Sequence, residues 1–156
     1  MTAAKREGFR GYSVHQPFNG LRVPVPVQNL LLRDYAARNQ LIFKLSVNEL
    51  DFPKCDVQLF GLLAELNQLE GILMASCFML PSNNEARQRV YQQVLAAGAE
   101  VHFIMENALL KSVADAERIE ELFRMVRLLA HCPRRIDNRL LAAGLGGDPA
   151  FSTPPR

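Results

Sequence analysis

A thiol, an imidazole and a carboxylate, at Cys77, His15 and Glu85, are the groups here whose chemistry could attack a carbon or move a proton. A cysteine is nucleophilic only as its thiolate, so Cys77 would need a base such as His15 nearby and a lowered pKa; without them it is an inert buried thiol. His15 itself could act as a general acid or base, against the plainer reading of a hydrogen-bonded loop histidine. Glu85 could be the carboxylate of a glycosyl-transfer site. It also stands three residues after Ser82, a capping-box spacing that explains it without catalysis. Side chains able to hold a ligand accompany these three: Gln16, Asn19 and Arg22 near His15; Ser76, Ser82 and Asn83 near Cys77 and Glu85; and Glu106 with Asn107 farther along. Arg22 would bring a fixed positive charge with fork geometry. His102 falls inside an apolar run and reads as structural.

These residues can meet only if the chain carries them to one edge of a sheet, and its pattern predicts this. Between about residues 9 and 131, short apolar runs alternate with longer segments of helical period, as in βα units of a parallel sheet. The first strand is expected at Phe9 to Val14, then a loop broken by Pro17, Gly20 and Pro24. A helix follows from Pro26 to Asn39, burying Val27, Leu30, Leu31 and Tyr35, with Asn39 as a left-handed terminator. Leu41 to Leu45 is the second strand, and the loop after it holds Asn48, Glu49, Asp51 and Pro53. Asp56 is a good N-cap for a helix whose Leu59, Leu62, Leu63, Leu66 and Leu69 form one stripe, closed by Gly71. Ile72 to Ala75 reads as a central strand buried on both faces.

The third helix opens at the Ser82/Glu85 capping box, buries Ala86, Val90 and Val94, and ends at Gly98. Val101 to Met105 is the fourth strand, and residues 106–111 are a connector. The last helix starts near Ser112, with Asp115 and Glu117 in its first turns and a stripe of Ile119, Leu122, Phe123, Val126 and Leu129. The expectation is an α/β three-layer sandwich around a small, mainly parallel four-stranded sheet. Right-handed crossovers place every strand's C-terminal end on one edge, where open α/β sheets bind ligands. Helix N-termini near Pro26 and Asn83 would favour an anion there.

Composition excludes several classes. At 156 residues, 49% hydrophobic and 22% charged, the chain suits one packed domain of residues 9–131, with a tail at 1–8 and an extension at 132–156 that loosens from about 144. A net charge of +2 names no nucleic-acid partner, although Arg134, Arg135 and Arg139 make a local basic excess that reads as a solvated face. Cys55, Cys77 and Cys132 are odd in number and widely spaced, which argues against a zinc ribbon or a disulfide framework and for a reducing cytoplasm. Neither a secretory signal nor a bilayer-spanning run is present. Glycine-rich dinucleotide and P-loop signatures are missing, and the ends of strands one and three read Val14-His15-Gln16 and Ser76-Cys77-Phe78 rather than an acidic phospho-acceptor cluster. No metal or cofactor is expected.

The words Gly8-Phe9-Arg10-Gly11-Tyr12, Gln16-Pro17-Phe18, Gly20, Arg22-Val23-Pro24, Val27-Gln28-Asn29 and Arg33-Asp34-Tyr35, with Phe78-Met79-Leu80-Pro81 and Glu106-Asn107, resemble the sporadic carbohydrate cluster proteins over about residues 8 to 130. That resemblance implies a role in surface-polysaccharide biosynthesis; Gln16 stands where the family pattern has Arg. The order of elements is also similar to the flavodoxin-like catalytic domain of serine recombinases (resolvases). Their serine lies just beyond strand one, whereas Ser13 here falls within the strand and no helix-turn-helix follows residue 131. The Pro17-Phe18 loop is similar to that of nucleoside deoxyribosyltransferases, without their glycine pattern and with Glu85 as the sole candidate nucleophile.

Three functions follow as expectations. The first is a cytoplasmic protein of carbohydrate biosynthesis that binds an anionic sugar or sugar nucleotide at the C-terminal sheet edge. The second is a non-catalytic scaffold or regulator acting through homodimerisation and partner binding, by residues 132–156 or an exposed side of the last helix. The third is a resolvase-like DNA-acting protein without the nucleophilic serine.

Overall fold

The computed structural model describes residues 6–132. The extension from residue 133 onward, including Arg134, Arg135 and Arg139, lies outside the described residues.

One sheet, in the order β2-β1-β3-β4-β5, runs through the centre. β1 (Phe9–Ser13), β2 (Phe43–Asn48), β3 (Gly71–Met74) and β4 (Glu100–Phe103) are parallel, and β5 (Ala108–Leu110) returns antiparallel to β4. The sheet therefore has five strands where the sequence pattern gave four. β5 occupies part of the expected 106–111 connector: the turn at Asn107, whose φ is +49°, folds the chain back so that Leu110 pairs with Val101. With only three residues it is too short to show an alternating pattern.

The helices are α1 (Val25–Arg38), α2 (Val57–Ala64), α3 (Asn84–Ala97) and α4 (Val113–Leu129). The larger core lies between one sheet face and the last three of them, joining Tyr12, Ile72, Met74, Val101 and Phe103 to Leu59, Leu62, Leu63, Val90, Val94 and Ile119. Among the described residues, α1 is the helix that covers the other face, through a smaller cluster of Phe9, Leu32, Ala36 and Leu73. It can sit close because β1 presents Gly11 there; a Cβ at that position would stand 2.8 Å from Leu32 Cδ1 and 2.5 Å from Ser46 Oγ.

Several local expectations are corrected. The inward face of α1 is Gln28, Leu32 and Ala36, while Val27 and Leu30 are exposed. Gln28 fixes that rotation, since its Nε2 donates to the carbonyls of Val14 and Val23 and its Oε1 accepts the Val14 N–H at 3.1 Å. The left-handed residue after α1 is Gln40, at φ +56°, and Asn39 keeps a negative φ. Gly71 does not close α2. The helix tightens into a 3-10 turn at Leu66–Gln68, and Gly71 is the first residue of β3. All five leucines of the predicted stripe are buried nonetheless. On α3 the capping box is not formed, because Asn83 is the N-cap and its Oδ1 accepts the Ala86 N–H. A complete box stands instead at Ser112 and Asp115, opening α4. Leu129, placed on the α4 stripe by period, is exposed.

Candidate functional site

In the strand order found here the direction of winding reverses between β1 and β3, which leaves a crevice beyond their C-terminal ends. A cleft of about 530 Å³ lies there. Three loops build it: residues 14–18 after β1, residues 49–56 after β2, and residues 78–83 after β3. Among the described residues no group of His, Cys, Asp and Glu is arranged to hold a metal ion.

Each wall has a local cause. After β1 the chain is anchored by the Gln28 amide and then folds into a two-residue turn, with Phe18 and Leu21 exchanging backbone hydrogen bonds of 3.0 and 2.9 Å. Asn19 and Gly20 both take positive φ, as such mirror-image turns require. Asn19 is thus a turn residue outside the cleft lining, and Arg22, beyond the turn, does not line it either. His15 and Gln16 do line it. Gln16 Nε2 donates to Asp51 Oδ1 at 2.6 Å, tying the first wall to the second.

The second wall is organised by Glu49, which is 5% exposed. Its carboxylate accepts the N–H groups of Gln58 and Leu59 at the start of α2, the Leu50 N–H, the Tyr12 hydroxyl at 3.1 Å and the Cys55 thiol at 3.4 Å. Glu49 therefore does the capping that the sequence assigns to Asp56, which makes no capping bond. Asp56 instead lines the cleft, and burial, then the charge of Glu49, raise its carboxyl above the ordinary range. Burial, then Glu49, likewise keep the Tyr12 phenol protonated far above its usual range.

The third wall runs from Phe78 to Asn83. Ser82 and Asn83 belong to it, but exposed Glu85 does not line the cleft. Cys77 is fully buried behind it, and burial, reinforced by Glu106, pushes its thiol up to about 12. His15 is not among its partners. Such a thiol holds its proton at neutral pH, which is the inert reading of Cys77. Ser76 and Glu106 are engaged with each other: the Ser76 hydroxyl donates to Glu106 Oε1 at 2.6 Å, and Glu106 Oε2 accepts the Cys77 N–H at 2.9 Å. Glu106 thereby braces the start of the β3 loop, and neither Glu106 nor Asn107 lines the cleft.

The structure thus brings together His15, Gln16, Ser82 and Asn83, and keeps Asn19, Arg22, Ser76, Cys77, Glu85, Glu106 and Asn107 out of the lining. Sequence reasoning passed over Tyr12, Lys54, Asp56 and the exposed ring of Phe52 as lining residues. The signal available was the acidic loop after β2, whose carboxylates cannot be told apart by type alone.

No family model matches this sequence, and no curated protein does. Three solved chains are similar in structure. One is the N-terminal catalytic domain of TP901-1 integrase, with a TM-score of 0.55 and 9% identity over 78% of this chain and 96% of that one. The two chains share a fold, helices packed on a mainly parallel sheet. Ser13, at the end of β1, is fully buried and donates its hydroxyl to Asn48 Oδ1. Among the described residues, no helix is long and apolar enough to cross a membrane.

Proposed function

We propose that the protein binds a sugar-class ligand in the cleft between the β1, β2 and β3 loops, with Asp56 as the group that holds or moves a proton there. The observation that carries this reading is the lining itself. The polar residues Gln16, Ser82, Asn83 and Asp56 line the same space as Phe18, Phe52 and Phe78. Polar side chains answer ligand hydroxyls, and aromatic faces cover the apolar side of a pyranose ring. With Asp56 on one wall and only Lys54 and His15 as basic groups in the lining, the sugar belongs on the Asp56 side. A phosphate of a sugar phosphate or nucleotide sugar belongs at the α3 N-terminus by Ser82 and Asn83.

A thermal-shift panel of monosaccharides, sugar phosphates and nucleotide sugars tests this. We expect one class to raise the Tm, the shift to fall in Gln16→Ala and Asp56→Asn, and Arg22→Ala to keep it. No shift across the panel, or loss of the shift in Arg22→Ala alone, overturns the cleft assignment.

The integrase-like fold favours a second reading, action on DNA. Burial of Ser13 and the carboxylates of the β2 loop oppose it, since a phosphate backbone needs cations at the reacting edge. Retardation of duplex DNA at moderate salt in a mobility-shift assay would favour this reading over the first.

A further inference from the structure

The most deeply buried charge among the described residues lies outside the cleft. Arg87, on α3, is 2% exposed. Its guanidinium forms a fork with Glu120 of α4, Nε to Oε1 at 2.7 Å and Nη2 to Oε2 at 2.8 Å. The remaining donors reach the chain around the start of α3: Nη1 donates to the carbonyls of Pro81 at 3.1 Å and Ser82 at 2.9 Å, and Nη2 to Asn84 Oδ1 at 3.3 Å. Its flat face lies 4.1 Å from the centre of the Phe123 ring, which packs on Phe78 at 5.0 Å between centroids. Tyr91 donates its hydroxyl to Glu120 Oε1 at 2.8 Å, completing the shell around the pair.

Phe78, Pro81 and Ser82 are the beginning and end of the third cleft wall, yet no α4 residue lines the cleft. The two carbonyls gripped by Arg87 are those of the wall residues that lead the chain into the Asn83 cap. We propose that α4 sets the shape of the cleft through Arg87, a positioning residue that carries the grip of Glu120 and Phe123 to the 78–83 wall without touching a ligand. A lone ion pair would need only one partner for its charge. The fork geometry matters because a guanidinium, unlike an ammonium, can hold a bidentate carboxylate and two carbonyl oxygens in one plane.

Lysine is therefore the informative replacement, since it keeps the charge beside Glu120 and gives up the grip on the wall. In Arg87→Lys, amide hydrogen exchange of residues 78–86 should rise about tenfold, while residues 59–63 of α2 and 90–95 of α3 keep their protection. Glu120→Gln, which leaves Arg87 in place with a weakened anchor, should raise exchange in the same segment by a smaller factor. This decides the question if Arg87→Lys does not fold. Unchanged exchange of residues 78–86 in both variants, or an equal rise across the whole chain, overturns the proposal. A second readout rests on the ligand reading above: UDP-glucose or glucose 1-phosphate, if it binds the unaltered protein, should bind Arg87→Lys about tenfold more weakly. Absence of binding to the unaltered protein counts against that reading, whereas the exchange pattern alone judges the role of Arg87.

Discussion

Replacing Glu49 by alanine separates two accounts of how α2 begins. Sequence preference makes Asp56 the cap, whereas the geometry gives the capping to a residue in the preceding loop. Glu49→Ala strips the acceptor from the first N–H groups of α2, a loss of about 1 kcal/mol for a helix cap. It also leaves the buried Tyr12 hydroxyl without a partner, which costs about 1–3 kcal/mol more. The sum is about 2–4 kcal/mol, and a domain of this size loses about 2–4 °C of Tm per kcal/mol, so the melt should fall by roughly 5–15 °C. Asp56→Ala removes no capping bond and should stay within about 0.5 kcal/mol of the parent. Urea unfolding followed by circular dichroism measures both. If Asp56→Ala costs as much as Glu49→Ala, the capping assignment is wrong, and with it the claim that the Asp56 carboxyl is free to serve the cleft.

Titration gives a related pair of expectations. The hydrogen bonds from Arg87 hold the Glu120 carboxyl below its usual range, so its stabilisation is present above the ordinary carboxylate pKa and fades as pH falls through the lowered value. Glu120→Gln should flatten the acid limb of the stability–pH curve, and an unchanged limb refutes that. Burial raises the Asp56 carboxyl, so the folded state loses stability as pH rises through that raised value. Asp56→Asn should therefore be neutral or stabilising at pH 7 in a thermal melt. In the native protein, iodoacetamide should alkylate the exposed Cys132 and spare Cys77, as mass spectrometry of peptides would show; early labelling of Cys77 would contradict its burial. Gly71→Ala should be severely destabilising or fail to fold, because its Cβ would collide with the Glu100 carbonyl of the neighbouring strand. A Tm near that of the parent would mean the β3–β4 register differs.

Periodicity and punctuation in the sequence determined the order of elements apart from β5, the buried leucine stripe of α2, the both-sides-buried β3 and the sheet edge on which loops 14–18, 49–56 and 78–83 gather. These depend on local propensity and on an apolar pattern that burial must satisfy, so they are legible without coordinates. Which polar side chain does which task was decided only by tertiary structure. Asp56 has the better local credentials for a cap, but Glu49 is delivered to the α2 N-terminus by the end of β2 and satisfies Tyr12 of β1 at the same time. Ser82 and Glu85 have capping-box spacing, but the turn out of Pro81, held by Arg87 against α4, places Asn83 at the cap. Cys77 and Glu106 share the expected edge, yet they face each other behind the wall rather than the cleft. A hydrogen-bonding group is recruited by whichever unsatisfied partner is nearest in space, and that distance is fixed by how distant elements pack, which neighbouring letters do not encode.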